Sequence, residues 1–109
     1  MKTFELFENI KFNDARPNAE PLHVDEHGRI LRFALQPGQS VSEHKAPHSP
    51  VNIIILQGHG RFAGGDGVQQ AFGPETMLLF DAGEAHSIEA LDEPLVFLVI
   101  LHQAPNPNK

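Results

Sequence analysis

No cysteine occurs among the 109 residues, which excludes a disulfide framework and any thiolate metal site. A metal in this chain has to be held by histidine, carboxylate or carbonyl groups. Basic residues are few as well. Eight Lys and Arg, scattered along the chain, face fourteen Asp and Glu for a formal net charge of −6. Phosphate backbones are bound by clustered Lys and Arg, so nucleic acid is not an expected partner. Long apolar runs are also missing. No window reaches the length of a membrane span, and the stretch from Met1 to Glu8 lacks the apolar segment of a signal peptide. The expectation is a cytoplasmic protein without membrane contact. Helical patterning is the last absence: no window carries apolar residues at helical spacing with caps at both ends.

What is present is short apolar runs and frequent punctuation. Nine Gly and nine Pro divide the chain, and about nine or ten short strands can be read between them, the spacing of an all-β barrel or sandwich. The length suits one domain with a single core. Residues 1–21 are expected to form an N-terminal strand or arm and a loop, with Phe4, Leu6, Ile10 and Phe12 alternating with charge over residues 3–12. Residues 22–102 are expected to form the barrel, and 103–109 a Pro/Asn tail. Gly28 reads as the turn of one hairpin, and Gly64-Gly65-Asp66-Gly67 as the turn of another. That glycine cluster lacks the Lys and the following helix of a phosphate-binding loop.

Two runs, Asn52 to Leu56 and Leu95 to Leu101, are apolar on successive residues, so each buries side chains on both faces. One barrel interior covers one face only. The other needs a second sheet, a terminal arm or another subunit, and a homodimer is expected on that ground.

The stretch from His44 through Pro47 and His48 to Gly58 and Gly60 joins candidate metal ligands to the strongest strand signal, residues 51–57. It resembles the first motif of the cupins, the jelly-roll barrels of the RmlC-like superfamily. Gly38, His44 and Gly58 match that motif at the family's spacing, whereas Ala46 and Val51 stand where the family places a second His and a Glu. In the second motif Gly83 and His86 match, with Glu75, Asp81 and Ala90 where the family has Gly, Pro and Asn. The resemblance covers residues 38–90 and implies a single-domain double-stranded β-helix of the small conserved-barrel type. It further implies His44 and His86 as inward-facing ligands.

Two imidazoles hold a divalent metal poorly, and His48 is the candidate third ligand. Regular strand geometry sets it about 13 Å from His44, so it joins only if the strand breaks between them. Pro47 and Pro50 favour such a break. The resulting set of His44, His48 and His86 suits Fe, Ni, Cu or Zn and an anionic or bidentate oxygen ligand. Enols, diketones and carboxylates are candidate substrates. Glu43 faces away from His44 by strand alternation. Asp81 and Glu84 read as turn residues, with Asp81 a candidate second contact to a histidine. His23, His27 and His59 read as surface, and His102 as barrel end or solvent. Phe33, Phe62, Phe72, Phe80 and Phe97 read as core. No Ser-His-Asp or Cys-His nucleophile can be assembled from spacing.

Two functions compete at this stage. One is a metal-dependent enzyme of dioxygenase or isomerase type acting on a small molecule in the barrel. The other is a metal-free barrel that binds or senses a small-molecule ligand. A purely structural dimer ranks last, because the resemblance turns His44 and His86 inward.

Overall fold

The computed structural model describes residues 1–44 and 48–102, without the side chains of Glu43 and His44. The tail at 103–109 and the position of Ala46 lie outside the described residues. Nine strands form among the described residues and no helix does: β1 (Asn18–Asp25), β2 (Gly28–Leu35), β3 (Ser40–His44), β4 (Val51–Gln57), β5 (Gly60–Ala63), β6 (Gln69–Phe72), β7 (Met77–Phe80), β8 (His86–Ala90) and β9 (Leu95–His102). They build two sheets, in the orders β1-β2-β9-β4-β7 and β3-β8-β5-β6. All pairings are antiparallel. The two sheets close on one core, as the alternation in their strands requires.

In β4 the alternation is clean: Val51, Ile53 and Ile55 are buried, while Asn52, Ile54 and Leu56 on the other face are half-buried. Strand β9 lies at the centre of the larger sheet, between β2 and β4, and its residues 95–99 are buried without a break. A strand covered on both sides is what its unbroken apolar run calls for. Phe97 is its largest inward residue. It stacks on Phe33 at 5.2 Å between ring centroids and meets Phe62 edge-on at 6.2 Å. Full burial of one such side chain contributes about 1.5–3 kcal/mol.

The N-terminal arm is held against β2, next to β9. Arg32 on β2 pairs with Leu98 on β9 and is only 5% exposed. Its guanidinium donates to the backbone carbonyls of Leu6 and Glu8, both at 3.0 Å, and of Asn9 at 3.3 Å. It also grips both carboxylate oxygens of Glu20, at 3.0 and 3.1 Å. Residues 3–12 therefore form an arm and no strand; their carbonyls bond to an arginine and not to a ladder. Phe4, Phe7 and Phe12 on this arm remain exposed.

The expected loop over 13–21 ends early, because β1 already begins at Asn18 and pairs Asn18–Pro21 with Ala34–Leu31. The prolines suggest a break, yet β1 is an edge strand with a register shift between Pro21 and His23. An edge strand and an irregular ladder are the two places where a missing N–H is tolerated. At the far edge of the same sheet, β7 leaves Met77 and Leu79 58% and 66% exposed.

Two turns explain a match and a mismatch to the cupin motifs. Gly58 has φ 79°, and a Cβ there would overlap the carbonyl oxygen of Pro94. Only glycine fits. Glu75 has φ 69° and stands where the family carries glycine, so it holds a left-handed conformation that L side chains adopt at a cost. Its N–H bonds the carbonyl of Ile55 at 3.0 Å, which ties the turn to β4.

Candidate functional site

Directly opposed residues of an antiparallel sheet share a face, so the pairing register lays out the wall of the barrel row by row. At one end the row is Arg29, Leu101, Val51 and Phe80, across β2, β9, β4 and β7. One step further in it is Leu31, Val99, Ile53 and Leu78, and then Phe33, Phe97 and Ile55. The smaller sheet faces these rows with Val41 and Ile88, which are partners across β3 and β8, and with His86. Between the sheets lies a cavity of about 400 Å³, within the range of small-molecule pockets. Its walls are apolar except for Arg29, His48, Ser49 and His86. No carboxylate lines it among the described residues.

His86 starts β8 and is 4% exposed. Its Nδ1 lies 3.2 Å from the backbone carbonyl of Glu84. A carbonyl only accepts, so Nδ1 carries the proton and Nε2 of the neutral ring carries the lone pair. The ring also packs at 5.0 Å from Phe80. Glu84 is itself held in place by its carboxylate, which accepts the N–H of Gly65 at 2.9 Å and of Asp81 at 3.0 Å. These two bonds, Gly65 first, keep the Glu84 carboxyl below the usual glutamate range. The hairpin turn between β5 and β6 is thereby tied to the turn that orients His86.

The expected ligands are placed differently from one another. His44 ends β3 directly opposite His86 in the ladder, after a register shift between Val41 and His44. Its side chain lies outside the described residues. His48 is exposed, in the turn before β4, at the rim of the cavity. Val51, at the family's glutamate position, is 1% exposed and belongs to the core. Among the described residues no three His, Asp or Glu side chains come together to hold a metal ion. The described imidazoles of this wall are two, the buried His86 and the exposed His48 at its rim, and two imidazoles alone hold a divalent metal poorly.

The remaining histidines sit at the surface. His23 bonds Asp25 at 3.0 Å, His59 bonds Glu93 at 2.8 Å, and His102 meets Asn52 at 2.9 Å at the barrel end. Asp81 touches Glu84 through its backbone N–H. It is the backbone of Glu84 that meets His86, a contact that side-chain chemistry does not announce. Arg29 is the polar wall residue that motif reading passes over. Strand alternation carries the signal, since Arg29, Leu31, Phe33 and Leu35 fall on one face of β2.

No helix of the described residues is long and apolar enough to cross a membrane. Among curated proteins none matches this chain. Solved structures do. An RmlC-like cupin from Desulfovibrio desulfuricans is 26% identical with a TM-score of 0.82, covering 93% of this chain and 96% of its own. A protein from Thermus thermophilus superposes with a TM-score of 0.89 at 22% identity, over 96% of this chain and all of its own. A double-stranded β-helix protein from Klebsiella pneumoniae reaches 0.87 at 16% identity, over 95% of this chain and 91% of its own. The cupin domain pattern matches residues 31–101. Motif glycines, two facing sheets and this match agree: the chain belongs to the cupin family, as a small all-β double-stranded β-helix.

Proposed function

We propose that this cupin is a binding barrel, which takes a small organic molecule into the space between its sheets without a resident metal. The cavity carries the reading: about 400 Å³, walled by Phe33, Phe97, Ile53 and Val99, with its polar groups few. Such a space favours a compact, largely apolar guest that exchanges hydration water for aliphatic and aromatic contact. Val51 in place of a glutamate supports the metal-free form. The test pairs metal analysis of untagged protein with saturation-transfer NMR of benzyl alcohol. Protein free of stoichiometric metal, with a benzyl alcohol signal that Val41→Phe abolishes, is the expected result. One metal per chain, lost in His86→Ala, would overturn it.

That outcome would favour the second reading, a metal-dependent enzyme of dioxygenase or isomerase type using Fe, Ni, Cu or Zn. The direct opposition of His44 and His86 in the ladder and the Nδ1–carbonyl bond of His86 support it, because such a bond presents the other ring nitrogen in ligand form. The same proposal includes a homodimer. Met77 and Leu79 project from the edge strand of the larger sheet beside the half-buried Ile54, and covering them takes apolar surface from a second copy. Sedimentation at micromolar concentration should give a dimer that Leu79→Glu dissociates, and a monomeric wild type would refute it.

A further inference from the structure

Among the described residues the charge at the rim of the cavity is of one sign. Arg29, the second residue of β2, lies opposite Leu101 and lines the end of the cavity, with the apolar rows behind it. The other two arginines of the sheets are engaged: Arg32 with Glu20, and Arg61 with Glu89 at 2.9 Å. The guanidinium of Arg29 makes no ion pair or hydrogen bond among the described residues. Asp25, in the adjoining turn, is committed to His23 and to the N–H groups of His27 and Gly28. Among the described residues the cation therefore faces a cavity whose remaining polar lining, His48, Ser49 and His86, includes no carboxylate to neutralise it. This is notable in a chain whose formal net charge is −6.

A guanidinium matches a carboxylate in a fork of two parallel hydrogen bonds. Behind it, about 400 Å³ accommodates on the order of a dozen non-hydrogen atoms, taking about 30 Å³ for a water-sized group. We propose that Arg29 binds the acid group of the ligand, and that the ligand class is small organic monocarboxylates with an aromatic or branched aliphatic body. The acid group sits at the rim and the body lies between Phe33, Phe97 and Val99. Arg29 thus determines specificity for anions over their neutral counterparts. The inference rests on the reading of the cavity as a ligand site and adds the chemistry of its occupant.

Calorimetric titration tests it with 3-phenylpropionate and its neutral counterpart 3-phenylpropanamide, on wild-type protein, R29Q and R29K. Arg29 is exposed, so R29Q should fold and melt as the wild type does. The acid should bind wild type about tenfold or more tightly than the amide, the yield of one charge-assisted hydrogen bond. R29Q should lose that advantage while leaving amide affinity unchanged, R29K should recover part of it, and added NaCl should weaken the acid alone. Equal affinity for acid and amide, unaltered in R29Q, would overturn the role of Arg29 and leave the binding barrel standing. Failure of both compounds to bind wild type at millimolar concentration would overturn the two readings together.

Discussion

Replacing Arg32 with alanine should unlock the N-terminal arm and cost the fold about 3 kcal/mol. The figure comes from the two carbonyl bonds at 3.0 Å, to Leu6 and Glu8, each worth about 1.5 kcal/mol at the low end for a charged donor. The low end applies because the arm's carbonyls recover water once they are released. Nothing is added for Glu20, which is partly exposed and can rehydrate. At about 4 °C per kcal/mol for a domain of this size, the melting temperature should fall on the order of 12 °C. The chain has neither Trp nor Tyr, so urea unfolding is best followed by far-UV circular dichroism. Trypsin gives a second readout: Arg32→Ala should be cut at Lys11 well before the barrel unfolds, whereas the wild type should resist. Glu20→Gln should cost less, because the carbonyl bonds survive. A loss below about 1 kcal/mol, with Lys11 still protected, would refute the argument that the guanidinium fastens the arm.

Other outcomes follow from single positions. Glu75→Gly should stabilise by up to about 1 kcal/mol, since relief of a left-handed glutamate exceeds the entropy glycine adds to the unfolded chain; a lower urea midpoint would contradict this. Gly58→Ala should destabilise by more than about 1 kcal/mol, because it adds that strain and drives a methyl into the Pro94 carbonyl. An unchanged melting temperature would refute the close approach. Asp25 accepts the N–H of His27 at 2.8 Å and bonds His23, which lowers its carboxyl below the ordinary 3.8. Its contribution should be complete above pH 3.8 and vanish as pH falls through the folded value. Acid titration should show Asp25→Asn losing less stability than wild type over that window, and equal losses would refute it.

Local signals were enough to read the strands, because a two-residue period and glycine turns report directly on which face a side chain takes. Phe33, Phe62, Phe72, Phe80 and Phe97 read as core, and all five belong to the core cluster or pack against it; the motif glycines located the barrel, whereas the successive apolar residues of β4 and β9 left open which side faces in. The arm was less legible. Its alternating Phe4, Leu6, Ile10 and Phe12 read equally well as a strand until its carbonyls met Arg32, more than twenty residues away in sequence. Pro17 and Pro21 suggested a loop, since nothing local marks β1 as an edge strand.

By itself, then, the amino-acid order determined the all-β class and the family motifs, for these depend on side chains a few residues apart. It also determined that no thiolate enters the chemistry. Tertiary structure alone decided which polar groups share the cavity. Arg29, His48 and His86 meet there because β2, β8 and the turn before β4 converge at one end of the barrel. It alone decided that Glu84 joins two turns and holds His86 through a carbonyl. These contacts link backbone groups and strands distant along the chain, and only the closed pair of sheets sets their distances.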